Sequence, residues 1–163
     1  MRRSLAAALV LFLSAFAVAP AVAQQPDLGR IQKRVLELVN QQRSLNGQRP
    51  LILDERLSRA AQVHAENMAR RDFFDHQAPD GSQVSGRAVR AGYPWRLIGE
   101  NLAAGHSSER GVVNGWMISP AHRDNMLGPD FRELGVGYAR PSPKGRQPKY
   151  DHYWTVVFGA PAR

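Results

Sequence analysis

The sequence predicts an α+β fold in which helices and strands occupy largely separate parts of the chain. Apolar residues recur at helical spacing early in the chain, whereas two runs typical of strands lie near its end, at residues 133–139 and 150–158. These two strands pair most simply as an antiparallel hairpin. Because no strand–helix–strand alternation follows the helices, a doubly wound parallel sheet is not expected.

Residues 1–23 have the pattern of a removable secretion signal. Two arginines precede an apolar run at residues 5–18, and the Ala-Val-Ala sequence at residues 21–23 fits a cleavage site. The alternative, a membrane anchor, needs a longer apolar run, and Pro20 interrupts this one. We therefore expect export to the periplasm or the medium, with no transmembrane span after the signal is removed.

The rest of the chain is expected to form a short lead-in at residues 24–30 and one domain at residues 31–163. No cysteine is present, so packing rather than disulfides must stabilise the domain. The expected signal holds two of the 22 Lys and Arg and none of the 14 acidic residues, which leaves a mature net charge of +6. This charge favours acidic partners such as anionic lipid or cell-wall polymers. Nucleic acid is not expected, because no basic run is interleaved with aromatic residues.

Two helices are predicted at the start of the domain. The first ends near Asn46 and Gly47, and Asp54 is typical of the N-cap of the second. Alanines on the apolar face of the second helix favour close packing against another layer. The apolar positions are Ile31, Val35, Leu38 and Val39 in the first helix, and Leu57, Ala60, Ala61, His64, Ala65 and Met68 in the second.

The middle of the chain predicts shorter elements joined by turns. A turn at residues 78–81 leads into a short helix at residues 84–91, and a strand follows at residues 97–103. A serine-capped helix then runs over residues 108–117. The Ser-Pro pair that begins residues 119–128 is a strong start signal for the last helix, since serine suits the N-cap and proline the first helical position.

Glu100 is an unexpected residue for its strand, which reads RLIGENLAA over residues 96–104. Alternation places its carboxylate on the same face as the apolar residues Ile98 and Leu102. A charge on an apolar face is costly unless a partner offsets the lost hydration. The sequence therefore predicts a partner for Glu100 on a neighbouring element.

Two histidines are candidates for that partner. His76 follows an aromatic pair and precedes a turn, so it lies on a loop, where a lone histidine is often just a surface residue. His122 falls in the first turn of the helix capped by Ser119, where the helix dipole disfavours the charged ring. The alternative for His122 is packing beside Trp116. Two neutral imidazoles and the Glu100 carboxylate suit zinc with an open position, or general-base catalysis, although the spacing matches no compact metal motif.

The other histidines and Ser119 are weaker candidates for a catalytic or metal-binding role. His64 lies on an apolar helix face and is expected to be a hydrogen-bonded core residue, while His106 and His152 are expected at the rim or surface. Ser119 is explained as a helix cap, and no nucleophile or phosphate-loop motif is present.

Seven motif segments, taken together and in order, resemble a known family. They are HAENM at residues 64–68, FDH at 74–76, AGY at 91–93, GEN at 99–101, WMISPAHR at 116–123 with NML at 125–127, LGVG at 134–137 and YWTVVFG at 153–159. The chain resembles the CAP superfamily, or SCP domain, which includes cysteine-rich secretory proteins, insect venom antigen 5 and plant pathogenesis-related proteins. It is most similar to the short bacterial branch, over residues 31–159.

The resemblance implies a three-layer α-β-α sandwich with a central, mainly antiparallel sheet. It also implies a cleft lined by two histidines and two acids, which in some relatives binds zinc or another divalent cation. His76, Glu100 and His122 match three of these positions. Ser119 stands where many eukaryotic members carry the fourth, acidic residue, so the complete site is not present here.

Three functions are consistent with the sequence. The first is an exported, non-enzymatic domain that binds a lipid or sterol, a cell-wall polymer or an envelope protein at the cleft. The second is a zinc-dependent hydrolase in which His76 and His122 are metal ligands and Glu100 is the catalytic base. The third is a structural envelope protein whose cleft is vestigial and whose histidines and Glu100 stabilise the core.

Overall fold

The computed structural model describes residues 27–142 and 147–162. The predicted secretion signal at residues 1–23 lies outside these residues. No helix within the described ranges is both long and apolar enough to cross a membrane.

The described residues form five helices and four strands, which confirms the predicted α+β class. The helices are α1 Leu28–Leu45, α2 Glu55–Arg71, α3 Val84–Arg90, α4 Glu109–Ile118 and α5 Pro120–Leu127. The strands are β1 Ile52–Leu53, β2 Trp95–Ala104, β3 Glu133–Ala139 and β4 Tyr153–Pro161.

One sheet with strand order β1-β3-β4-β2 lies at the centre of the fold. The β3–β4 hairpin is antiparallel as predicted, and β2 pairs antiparallel with β4. The two-residue strand β1 pairs parallel with β3, so the sheet is mixed rather than purely antiparallel. No strand was predicted at residues 52–53, because two residues are too few for an alternation pattern.

Helix α1 begins inside the stretch expected to be a lead-in, residues 24–30. The Asp27 side chain accepts a hydrogen bond from the backbone N–H of Arg30 at 3.1 Å, which satisfies a donor that the first helical turn leaves free. The helix therefore begins at Leu28, before the apolar residue Ile31 that marked its predicted start. Its predicted end near Asn46 and Gly47 is confirmed.

Helix α2 lies on one face of the sheet, as its small apolar positions predict. Asp54 caps its first turn by accepting from the N–H groups of Arg56 and Leu57, at 2.8 and 3.0 Å. Every predicted apolar position of α2 is buried, and the helix packs against β3 and β4. Helix α3 lies beside α2 and contacts β2.

Helices α1, α4 and α5 form the layer on the other face of the sheet. Their apolar residues join those of β3 and β4 in the main core cluster, which includes Val35, Trp116 and Phe158. The indole N–H of Trp116 donates to the carbonyl oxygen of Leu102 at 3.0 Å, so Trp116 fixes α4 against β2. The result is the three-layer α-β-α sandwich that the family resemblance implies.

Side chains from both helical layers complete the edge of β3 beyond the short strand β1. Gln62 of α2 bonds both the N–H and the carbonyl of Tyr138, at 2.9 and 3.0 Å. Gln32 of α1 donates to the carbonyl of Val136 at 2.9 Å. Because buried backbone groups must be paired, these amides replace the strand that β1 is too short to provide.

Candidate functional site

The candidate site lies at β2, the strand at one edge of the sheet. Ile98 packs with Leu57 and Tyr93 on the α2–α3 side, and Leu102 packs with Met68 on the same side. Glu100 lies between them on this face, as alternation predicts. Its side chain therefore lies between the sheet and the α2–α3 layer.

Two cationic or ionisable groups bind the Glu100 carboxylate, one at each oxygen. His76 donates from Nδ1 to Oε1 at 2.9 Å, and Arg87 donates from Nη2 to Oε2 at 2.7 Å. The side chain of Glu100 is only 2% exposed and that of Arg87 only 3% exposed. The predicted partner therefore exists, but the buried partner is an arginine rather than a second histidine.

Sequence reasoning missed Arg87 because arginine is rarely fully buried. The sequence nevertheless contained a sign that Arg87 is buried. Arg87 is next to Ala88 and three residues after Val84, and both of these residues pack in the apolar cluster beside α3. Its guanidinium has partners besides Glu100, although its buried Nε has none among the described residues. It donates to the Ser82 carbonyl at 2.9 Å and to the His76 carbonyl at 3.2 Å.

His76 lies on the loop between α2 and α3 and is held at two points. Its ring is bonded to Glu100 and its carbonyl to Arg87, while 60% of its side chain is exposed. The hydrogen bond to the Glu100 carboxylate raises the pKa of His76, and burial only partly opposes this. Because Nδ1 is committed to Glu100, Nε2 is the ring atom left to meet a ligand.

His122 belongs to the opposite helical layer and reaches the same end of β2. It lies in the first turn of α5 and is partly buried. Burial lowers the pKa of His122, and the positive charge of His76 lowers it further. The ring is thus biased to the neutral form that the sequence predicts, although burial and His76 are the causes that the structure identifies.

An asparagine pair holds α5 and His122 against β2. Asn101 donates from Nδ2 to the His122 carbonyl at 2.9 Å, and it accepts from Asn125 Nδ2 at 2.9 Å. Asn125 also donates to the Glu100 carbonyl at 3.2 Å. The Gly-Glu-Asn tripeptide therefore connects both helical layers, through the side chain of Glu100 on one face and that of Asn101 on the other.

Ser119 occupies the predicted N-cap position of α5, followed by Pro120. Its side chain makes no capping hydrogen bond, so the cap explanation accounts for its position but not for its hydroxyl group. The residue is partly buried and is three positions before His122. Its hydroxyl is therefore free of the helix and belongs to the same end of α5 as the His122 ring.

The donor set does not fit a three-ligand metal site. Among residues 27–142 and 147–162, no group of three or more His, Cys, Asp or Glu side chains is placed to hold a metal ion. Both Glu100 oxygens are bonded to protein groups, and Ser119 replaces the fourth acid. We therefore derive no metal-dependent step.

His64 is the core histidine that its helix position predicts. It is fully buried, and Nε2 donates to the carbonyl of Asp75 at 2.9 Å. Burial lowers the pKa of His64. Because Asp75 directly precedes His76, this buried ring fixes the loop that carries His76. His106 and His152 are partly exposed, as predicted.

The histidine pKa shifts give a prediction that can be measured directly. Proton NMR of the ring signals should give a titration midpoint above 6.5 for His76 and below 6.5 for His122. Since its folded pKa is raised, His76 contributes stability that is complete below pH 6.5 and is lost as the pH rises through its folded pKa. Glu100→Gln should lower the His76 midpoint. A His76 midpoint that is unchanged by Glu100→Gln would contradict the assigned cause.

Comparisons with known proteins agree with the fold and with the motifs. Residues 36–158 match the family model described as CAP, the cysteine-rich secretory protein family. The uncharacterized protein YkwD of Bacillus subtilis is 38% identical over 107 residues, which are 66% of this chain and 42% of YkwD.

Two solved structures are similar to this chain in fold. A Bacillus anthracis extracellular protein containing an SCP domain is 28% identical with a TM-score of 0.72, over 89% of this chain and 45% of that one. An outer surface protein from Borrelia burgdorferi is 20% identical with a TM-score of 0.73, over 83% of this chain and 96% of that one. The chain spans less than half the length of YkwD and of the Bacillus anthracis protein.

Proposed function

The chain belongs to the cysteine-rich secretory protein (CAP) family, and from this we propose that it is an exported, non-enzymatic binding protein. Its ligand contacts His76, His122 and Ser119 at the open edge of β2. The ligand classes that the sequence favours are a lipid or sterol, a cell-wall polymer and an envelope protein. The observation behind the proposal is that His76 and Arg87 each bond one oxygen of the Glu100 carboxylate.

A catalytic base must present a free oxygen to its substrate. Glu100 has its side chain 2% exposed, with one oxygen on His76 and the other on Arg87. Releasing Arg87 would leave a buried guanidinium without its carboxylate, which costs several kcal/mol. Glu100 is therefore a positioning residue that orients the His76 ring rather than a base.

The groups that remain accessible suit hydrogen bonding to a ligand. His76 presents Nε2, His122 has a partly buried ring with a lowered pKa, and the Ser119 hydroxyl makes no bond to its helix. Because Glu100 and Arg87 neutralise each other, protonation of His76 adds a positive charge to this rim. An acidic ligand group should therefore bind more tightly as the pH falls through the raised pKa of His76.

Export is supported by the signal pattern at residues 1–23 and by the Bacillus anthracis relative, which is described as extracellular. The chain has no cysteine, and apolar clusters on both faces of the sheet stabilise the fold instead of disulfides. Fractionation of the producing cells distinguishes the periplasm from the medium as the final compartment.

Co-sedimentation with two probes tests the binding proposal. The probes are purified cell-wall fragments and phosphatidylglycerol-containing vesicles. We expect one probe to bind, and we expect His76→Ala combined with His122→Ala to weaken binding at least about tenfold, or about 1.4 kcal/mol. His106→Ala is the matched control and should bind like the wild type. Equal binding by the double variant, or substrate turnover without any binding, would contradict the proposal.

Calorimetric titration with zinc distinguishes the zinc-hydrolase alternative from our proposal. One observation favours it: a histidine that donates Nδ1–H to a carboxylate leaves Nε2 oriented as a metal ligand, and His76 has this arrangement. Our proposal predicts no stoichiometric zinc binding. Zinc binding that disappears in the His76→Ala, His122→Ala variant would favour the alternative instead.

A further inference from the structure

A second cleft lies between the C-terminal turn of α2 and the segment that follows β3. Its volume is about 440 Å³, which is within the range of ligand-binding clefts. Arg70 and Arg71 contribute from α2, and Arg140 contributes from the end of β3. None of the residues that line this cleft belongs to the His76 site.

The three arginines give the lining of the cleft an excess of positive charge over its acidic residues. None of them takes part in an ion pair among residues 27–142 and 147–162. The hydrogen bond that Arg70 makes is to the neutral amide oxygen of Asn67, at 3.2 Å. An arginine has five N–H donors, so most of this donor capacity is available to a ligand.

Two acidic residues also line the cleft, and both are bonded elsewhere in the fold. Glu66 accepts from Gln62 Nε2 at 2.8 Å. Asp72 accepts from the backbone N–H of Lys149 at 2.9 Å and from the Tyr153 hydroxyl at 3.3 Å. The three arginines outnumber these two acids, so the lining of the cleft keeps a net positive charge.

We propose that this arginine cleft binds a phosphodiester polymer. Guanidinium groups recognise phosphate oxygens in pairs, and donors on two opposing walls suit the two free oxygens of a tetrahedral phosphodiester. The cleft is concave, so a chain of phosphates enters it while the flat surface of a bilayer does not. The net positive charge expected for the mature chain draws such a polymer toward the protein.

A purely structural role explains only part of the cluster. Arg70 and Arg71 lie in the last turn of α2, where positive charge is favourable beside the negative end of the helix dipole. Arg140 belongs to a different element and gains nothing from that dipole. Binding of a ligand, unlike helix stabilisation, requires both walls.

Titration of the purified protein with poly(glycerol phosphate) tests the proposal. We expect Arg70→Ala, Arg71→Ala and Arg140→Ala together to lower the affinity at least about tenfold and to reduce the slope of log affinity against log salt by about 2, since each phosphate contact contributes ~0.7–0.9. The matched control combines Arg59→Ala, Arg90→Ala and Arg110→Ala, which remove the same charge from exposed positions outside the cleft. The control should lose less than about threefold.

Each other outcome overturns the proposal. Equal losses in the two triple variants would mean that net charge alone attracts the polymer. Binding to phosphatidylglycerol vesicles without polymer binding would identify a lipid surface, and polyglutamate binding of equal strength would show that phosphate is not selected. Absence of binding also overturns it. If a triple variant does not fold, the single substitutions Arg140→Glu and Arg110→Glu give the same comparison. His76→Ala should leave polymer affinity unchanged, because the arginine cleft is separate from the His76 site.

Discussion

Gly137→Ala is expected to destabilise the protein by more than about 3 kcal/mol, a large part of the stability of a domain of this size. A Cβ atom on Gly137 would lie 2.3 Å from the carbonyl carbon of Ala61 and 2.4 Å from the nitrogen of Gln62. Both are backbone atoms of α2, so no side chain can turn aside to make room. The helix would have to move away from the sheet, which would also break the bonds between Gln62 and Tyr138.

Denaturant unfolding near neutral pH measures this effect, with Gly86→Ala as the matched control. The Cβ of an alanine at residue 86 would have its nearest contact at 3.5 Å, with the flexible end of Arg90. Since alanine favours helix over glycine by about 1 kcal/mol, the control should be neutral or slightly stabilising. A Gly137→Ala protein as stable as the control would show that α2 is not packed directly on β3.

Arg87→Met is expected to cost about 3–5 kcal/mol, because it leaves the Glu100 carboxylate buried without its strongest partner. The distance of 2.7 Å between Arg87 Nη2 and Glu100 Oε2, with both side chains almost fully buried, makes this a fully desolvated ion pair. The same substitution also releases the His76 carbonyl. We therefore expect lower stability together with a loosened His76 loop.

A double-mutant cycle distinguishes the cost of an unpaired buried charge from the cost of lost packing. Arg87→Met combined with Glu100→Leu removes both charges, and it should be more stable than Arg87→Met alone by at least about 1 kcal/mol. Arg90→Ala, on the exposed face of the same helix, should change stability by less than about 0.5 kcal/mol. If the double variant were less stable than Arg87→Met, the buried charge would not be the cause.

Local sequence signals predicted most of the helices because each signal acts within one turn. The caps at Asp54 and Ser108 and the Ser119-Pro120 start lie at the predicted positions. The β3 strand matches its predicted bounds, whereas β4 begins at Tyr153 rather than at residue 150. There the preceding residues are tied to Asp72, which accepts from the Lys149 N–H, and no local pattern contains that contact.

Burial of arginine could not be predicted from sequence, because essential partners of each guanidinium lie on other elements of the fold. Arg43 is fully buried and donates to the carbonyls of Met126 and Gly128, 83 and 85 residues away. Arg87 is paired with Glu100 on another element. In each case the cost of desolvating a guanidinium is offset only after the helices and the sheet have come together.

By itself the sequence determined the α+β class and the family and predicted a partner for Glu100, because caps, periodicity and motifs are local properties. The tertiary structure decided what that carboxylate does. It placed Arg87 and His76 on its two oxygens and His122 on the opposite layer, with the β2 edge between them. Hydrogen bonds depend on positions in space, so only the folded chain shows that Glu100 anchors the candidate site.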